Sequence, residues 1–434
     1  MSAEQTTVRS KGQGPKNPIE LAVLSLLVGA VAGLAGSLFR LALRQLDIWR
    51  SDYILKLHTW GWPGILLVVV AVALLAAGAA WLVSRLSPEA TGSGIPYVET
   101  QLRDGWIGNP FHIFWVKFLG GLMAIGGGLA LGREGPTVQI GAVIGHVLGG
   151  IFKLTDNDRR VLLAAGAGAG LATAFNAPIA GAIFVLEELV GEFDVPISIA
   201  TLGASAGAIG VARIILGRAP DFLITVPELA AGSVTTLSAH LVLGLVFGFL
   251  GIAYSRAILG CIALQARLSK IPVEWRAAGV GVIVGVIGWF GPSLIGGGDE
   301  LTQQVLTGTL IPGFAVLFFL IRFILGPVSY SAETPGGIFA PMLTLGSLGG
   351  LLLGWVWRDL FHSNTFLPQE FAIVGMAAFF TSVVRAPVTG ITLVVELTGS
   401  SSLLLPMLAA AFASMTVATI LKQPPIYTSL RVVR

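Results

Sequence analysis

The chain has 434 residues, of which 54% are hydrophobic and only 11% charged, with a formal net charge of +3. An ordinary soluble domain carries about 25% charged residues, so this composition excludes a water-soluble particle. The wealth of apolar residues equally excludes a disordered chain.

Ten uncharged runs of 18 residues or more follow one another, at 21–39, 59–84, 135–152, 161–186, 195–212, 229–255, 277–298, 301–321, 334–357 and 397–421. A helix rises about 1.5 Å per residue and the hydrocarbon layer is about 30 Å thick, so roughly 20 apolar residues cross it. The runs therefore predict an all-α, multi-pass membrane protein. The first follows Arg9, Lys11 and Lys16 but is too long for a signal-peptide core and lacks a convincing cleavage site, so it is expected to remain as the first span, behind a cytoplasmic segment 1–18. The C-terminal end (Lys422, Arg431, Arg434) and the connector 256–276 (Arg256, Arg267, Lys270, Arg276) are also basic, which places all three regions in the cytoplasm. The stretch 40–56 dissents, with Arg40, Arg44, Arg50 and Lys56 against Asp47 and Asp52. Basic residues cluster at run ends, with no basic face interleaved with aromatics, so nucleic acid is not expected as a partner. The single cysteine, Cys261, excludes an internal disulfide and a cysteine metal cluster. No His-x-x-x-His spacing appears either, so no metal, cofactor or catalytic residues are expected.

The most informative feature is an internal repeat. Ala177-Pro178-Ile179-Ala180-Gly181-Ala182-Ile183-Phe184-Val185-Leu186-Glu187 returns as Ala386-Pro387-Val388-Thr389-Gly390-Ile391-Thr392-Leu393-Val394-Val395-Glu396, an offset of 209. Upstream, Gly132-Arg133-Glu134-Gly135-Pro136 and Gly336-Gly337-Ile338-Phe339-Ala340-Pro341 end on prolines 205 apart. Two units are expected, 19–216 and 217–422, followed by a segment 423–434. Many transporters are built from such halves, often inverted, with the substrate held where broken helices meet at the midplane. Pro96, Pro136, Pro178, Pro341 and Pro387 each stand near the start of an apolar run, where proline is tolerated in a helix's first turn. Several helices are thus expected to begin inside the membrane. Gly141/Gly145/Gly149, Gly346/Gly350/Gly354 and the stretch Gly166–Gly170 read as close helix packing, not as a nucleotide loop.

Three motifs carry the chemistry: Gly92-Ser93-Gly94-Ile95-Pro96, Gly132–Pro136 and Gly336–Pro341. Each puts small residues at a helix start, where N–H groups lack intrahelical partners and the helix carries about half a positive charge. Several such ends aimed at one point would hold a small anion without a full cation that traps it. Ionisable residues within apolar sequence are expensive and read by default as functional. Glu134 lies within the second motif, where its carboxylate would take the anion's place when charged and vacate it when protonated. Glu187 has a counterpart in Glu396, which suggests structure. Glu188 aligns with Leu397, and that one-sidedness suggests a proton task. Arg133 and Arg385 read as snorkelling or counter-charge residues, Glu99 and Lys117 as candidates for a buried ion pair, and His146 and His240 as packed or interfacial side chains.

The motifs in this order, with Phe175-Asn176-Ala177-Pro178 and Pro424-Pro425-Ile426-Tyr427, resemble the CLC family of chloride channels and chloride/proton antiporters over residues of about 20–430. The resemblance implies a CLC-type fold of two inverted helical repeats with broken helices meeting at the midplane. It implies anion binding by Ser93, by the backbone N–H groups of Ile338 and Phe339, and by the hydroxyl of Tyr427. Glu134 corresponds to the external gate and proton acceptor, and Glu188 to the internal proton-transfer glutamate of antiporters. A serine in the first motif is similar to chloride-type members, where nitrate-type members tend to have proline and fluoride exporters methionine. The family is dimeric, and the absence of cytoplasmic CBS domains resembles bacterial members, in the inner membrane. The expected function is exchange of chloride for protons, with a passive voltage- or pH-gated chloride channel of the same fold as the alternative.

Overall fold

The structure, a computed structural model, describes residues 17–222, 224, 234–361 and 367–433. Arg9, Lys11, Lys16 and Arg434, on which part of the predicted orientation rests, lie outside them. Regular structure among the described residues is helical throughout.

The first half contributes α1 (Pro18–Leu57), α2 (Trp62–Leu86), α3 (Ile95–Asp104), α4 (Pro110–Gly126), α5 (Glu134–Ile151), α6 (Asp156–Phe175), α7 (Pro178–Phe184) and α8 (Val195–Leu216). A π-helical turn, Val185–Val190, continues α7. The same order returns as α9 (Val234–Arg267), α10 (Val273–Phe290), α11 (Asp299–Leu306), α12 (Pro312–Tyr330), α13 (Phe339–Phe361), α14 (Pro368–Val384), α15 (Pro387–Thr398) and α16 (Leu404–Ile420), with α17 (Ile426–Val433) added after it. Among the described residues seven helices are long and apolar enough to cross a membrane, and α4, α14, α15 and α16 are shorter apolar helices. On the outer helices Leu66, Leu74, Phe290 and Phe412 are exposed, as side chains facing lipid would be.

Reciprocal bonds relate the halves. Gly132 and Gly337, equivalent at the 205 offset, each donate an N–H to the other's carbonyl at 2.8 Å, in an antiparallel bridge. Exchange between equivalent residues is what a local two-fold axis produces, and the antiparallel sense sends α5 and α13 off in opposite directions. The duplication is therefore inverted. Glu187 accepts the N–H groups of Val388 (3.1 Å) and Thr389 (2.7 Å) at the start of α15. Glu396 accepts those of Ile179 (3.1 Å) and Ala180 (2.8 Å) at the start of α7. Each carboxylate thus satisfies orphan donors and meets the positive end of the opposite helix.

Not every uncharged run is one helix. The run 161–186 contains the break between α6 and α7, and 301–321 is divided between α11 and α12. Gly308, with φ +69°, and Pro312 separate the latter pair. Absence of charge marks burial in lipid or protein, whereas Gly and Pro decide where a helix stops. All five prolines stand within the first three residues of a helix, Pro96 in α3, Pro136 in α5, Pro178 in α7, Pro341 in α13 and Pro387 in α15. The dissenting basic stretch of α1 is also explained, because Arg40 pairs with Asp221 and Arg50 with Asp47.

The glycine stripes bring backbones together. A methyl group on Gly141 of α5 would collide with the Gly166 carbonyl of α6, and one on Gly166 with that of Gly141. Gly346 and Gly375 stand in the same relation between α13 and α14. Since overpacking costs about 1–3 kcal/mol, Gly141→Ala should lower the thermal midpoint of the detergent-solubilised protein. Gly210→Ala in α8, where an added methyl meets nothing within 4 Å, should leave that midpoint unchanged or raise it.

Candidate functional site

The three glycine motifs meet. Gly92 donates to Thr334 (3.1 Å) and accepts from Gly336 (3.0 Å), which ties the first motif to the third. The Gly132–Gly337 bridge ties the second to the third. Gly135 packs so tightly on Ser93 that an added methyl would strike its backbone and hydroxyl. Gly94, with φ +81°, opens α3 in the left-handed conformation that side chains disfavour. The starts of α3, α5 and α13 are thereby fixed around one point.

Glu134 occupies that point and is fully buried. Its Oε1 accepts the Phe339 N–H at 2.6 Å, while Oε2 is buried without a hydrogen-bond partner. A methyl on Gly132 or Gly337 would run into this carboxylate, which explains glycine at both positions. A carboxylate out of water is expensive unless donors and positive dipoles replace its hydration. Here the start of α13 supplies them, and a small anion would use the same donors.

Ser93 and Tyr427 are fully buried beside it. The Ser93 N–H donates to the Tyr330 hydroxyl at 3.5 Å. The Tyr427 hydroxyl faces Ser93 without meeting hydrogen-bond geometry, and it lies within electrostatic reach of both Glu134 and Glu188. The Phe339 ring packs on Phe380, Phe184 and Tyr427, with centroids 4.6, 5.7 and 6.0 Å away. Ile338 is buried beside it. Glu188 is half-buried in the π-helical turn, close enough to Glu99 and Glu187 to feel their charge. Such turns often occur at functional sites. The structure thus brings Ser93, Glu134, Ile338, Phe339 and Tyr427 together and sets Glu188 on the Tyr427 side.

Glu99 and Lys117 prove to serve different partners. Glu99 pairs with Arg103 (3.0 Å) and with Arg431 of α17 (2.5 Å). This second bond joins the helix carrying Tyr427 to the helix that follows Ser93. The Lys117 ammonium donates to the carbonyls of Ala90 (3.0 Å) and Gly92 (2.6 Å). Its equivalent at the 205 offset is Arg322, which donates to Leu294 (3.0 Å), Gly296 (2.7 Å) and Gly297 (2.7 Å). Both cations are buried, and each holds the loop before a short helix. Sequence reasoning missed this pair, although the shared offset was a signal for it. His146 stacks on Trp106 at 4.1 Å and His240 on Phe371 at 4.8 Å, as packed side chains. Arg385 holds the end of α16 through Met415, Thr419 and Gln423. The sequence reading also passes over a Gly-x-Ser-x-Gly spacing at Gly203–Gly207. It lies inside α8 with Ser205 buried and no strand before it, so it is not a nucleophile elbow.

Removing a charged donor from buried carbonyls costs about 1–3 kcal/mol each. Lys117→Met should therefore lower the thermal midpoint of the solubilised protein, whereas Lys117→Arg should recover part of it.

Comparison with known proteins agrees with this geometry. The sequence profile of the voltage-gated chloride channel family matches residues 74–419. The H(+)/Cl(-) exchange transporter ClcA of Vibrio cholerae serotype O1 is 37% identical over 426 residues, which are 96% of this chain and 90% of that protein. ClcA of Salmonella arizonae is 35% identical over 433 residues, 98% and 90% of the two chains. The crystal structure of a slow cyanobacterial Cl-/H+ antiporter superposes with a TM-score of 0.91 at 32% identity, over 97% of this chain and 98% of the other. A eukaryotic CLC transporter superposes at 0.80 with 25% identity, over 95% and 74%. The chain is a multi-pass membrane protein of the voltage-gated chloride channel family, with the CLC fold of inverted helical repeats.

Proposed function

We propose that this protein exchanges chloride for protons across a bacterial inner membrane. The observation that carries the reading is the Glu134 carboxylate bonded to the Phe339 N–H. A group that is both an anion and a proton acceptor sits on an anion's donor, so anion and proton compete through one side chain. With Glu134 charged, its carboxylate fills the seat. Once protonated, it loses its attraction to the helix end and gives way to chloride. Ser93, Ile338, Phe339 and Tyr427 hold the anion, and Glu188 passes the proton on the inner side. The process is transport and needs no cofactor.

The alternative is a passive chloride channel. Glu188 argues against it, since its dyad position holds Leu397 and an acidic group there serves proton traffic. The relatives described as exchangers favour the same choice. We take the transporting units as 19–216 and 217–422, followed by the segment 423–434 with Tyr427, and the assembly as a homodimer in lipid with one pathway per subunit.

Reconstituted into liposomes with simultaneous chloride and pH readout, an outward chloride gradient should drive protons uphill. Chloride movement with no pH response would refute the exchanger reading. Glu134→Gln and Glu134→Ala should both lose proton movement, with anion flux left open in the alanine variant. Glu188→Gln should impair proton movement and spare chloride movement. If Glu188→Gln keeps full coupling, that residue's assignment is wrong.

A further inference from the structure

Next to Glu134 in the chain, Arg133 is held in a mesh of charges. Its Nε donates to the Ala174 carbonyl (2.8 Å) at the end of α6. One terminal nitrogen donates to Asp299 (2.8 Å) at the start of α11, and the other to Asp221 (2.9 Å) in the connector after α8. Asp221 is a shared acid, because its second oxygen takes Arg40 of α1. Its side chain is 6% exposed, against 47% for Asp299. Arg133 also lines a cavity of about 300 Å³ with Asp47, Arg50, Gly132 and Asp299. Asp221 is absent from that lining and draws the guanidinium away from it. Arg133 and Asp299 both act on Glu134 through their charge.

We infer that Asp221 is a positioning residue that neutralises and anchors Arg133, and so sets the field in which Glu134 exchanges its proton. The inference rests on reading Glu134 as the gate. The charged and titratable groups around the gate are Arg40, Asp47 and Arg50 of α1, the adjacent Arg133, Asp221, Tyr254 of α9, Asp299 and Glu300 of α11, Arg322 and Tyr330 of α12, and Tyr427 of α17. Lys117 of α4 is committed to Ala90 and Gly92, and α13 presents backbone and the Phe339 ring. Among these, only Asp221 joins two arginines through one buried carboxylate. Without it, Arg133 keeps one half-exposed acid partner and gains freedom to turn toward the cavity. The added positive charge favours charged Glu134, so protonation then needs more acid.

The test is chloride/proton exchange against external pH in liposomes, for wild type and Asp221→Asn. The variant should need roughly tenfold more protons for half-maximal exchange, a displacement of about 1.4 kcal/mol. Asp221→Glu should restore the wild-type profile. In a Glu134→Ala background, read as chloride flux against external pH because anion flux stays open there, Asp221→Asn should produce no displacement, because the responding group is gone. An unchanged exchange profile in Asp221→Asn, or an equal displacement of the chloride-flux profile in the Glu134→Ala background, overturns the inference. Should Asp221→Asn fail to fold, Asp299→Asn removes the exposed partner of Arg133 and must displace the profile the same way, an unchanged profile again overturning it. Wild-type protein that moves chloride without protons would sink the exchanger reading instead, so the two failures are distinguishable.

Discussion

The bond from the Phe339 N–H to the Glu134 carboxylate is the interaction on which the rest of the site depends. A carboxylate in the middle of a membrane protein is tolerated only where donors replace its water. Helix starts supply such donors without a permanent charge, and they can do so at this depth only if the non-helical backbone before them is itself satisfied. The bonds between Gly92, Thr334 and Gly336 and between Gly132 and Gly337 provide that satisfaction. Lys117 and Arg322 fix the loops from behind, on carbonyls of Gly92 and Gly296. Both cations are therefore bonded to backbone, and in the proposed mechanism a helix end, not a full charge, meets the ion.

Duplication built the scaffold, and the function lies where duplication fails. The Gly132–Gly337 bridge, the Glu187 and Glu396 caps and the Lys117 and Arg322 ties all obey the two-fold. The expected site residues do not. Ser93 stands opposite Gly298, Glu134 opposite Phe339 and Glu188 opposite Leu397 at the repeat offsets, while Tyr427 lies beyond the second half. Glu188 also sits in a π-helical turn, whereas the equivalent part of α15 stays α-helical. A two-fold pathway would treat both membrane faces alike. In the proposed mechanism these substitutions give one side a gate and the other a proton relay.

Much of this was legible because the physics involved is local. Proline in a first turn, glycine before it and a lone glutamate between them describe a helix start in the membrane, and the offsets of 205 and 209 describe a duplication. The packing stripe through Gly141 and Gly166 was readable for the same reason. Long-range charge pairing was not. Glu99 and Lys117 look like partners because both are acidic or basic within apolar sequence, yet backbone carbonyls satisfy Lys117 while Arg431 reaches Glu99 from more than 300 positions away. Asp221 lies in a connector without a motif, and only folding shows it between Arg40 and Arg133. Helix boundaries were not legible from charge alone either, since absence of charge cannot show the break at Gly308 and Pro312.

The most direct measurement is the position of bound bromide, by anomalous scattering, in crystals of the wild type and of Glu134→Ala. The account predicts an added bromide within hydrogen-bond reach of the Phe339 N–H once the carboxylate is removed, and none there while it is present. A Glu134→Ala crystal with bromide bound elsewhere, and the convergence of α3, α5 and α13 unoccupied, would contradict it.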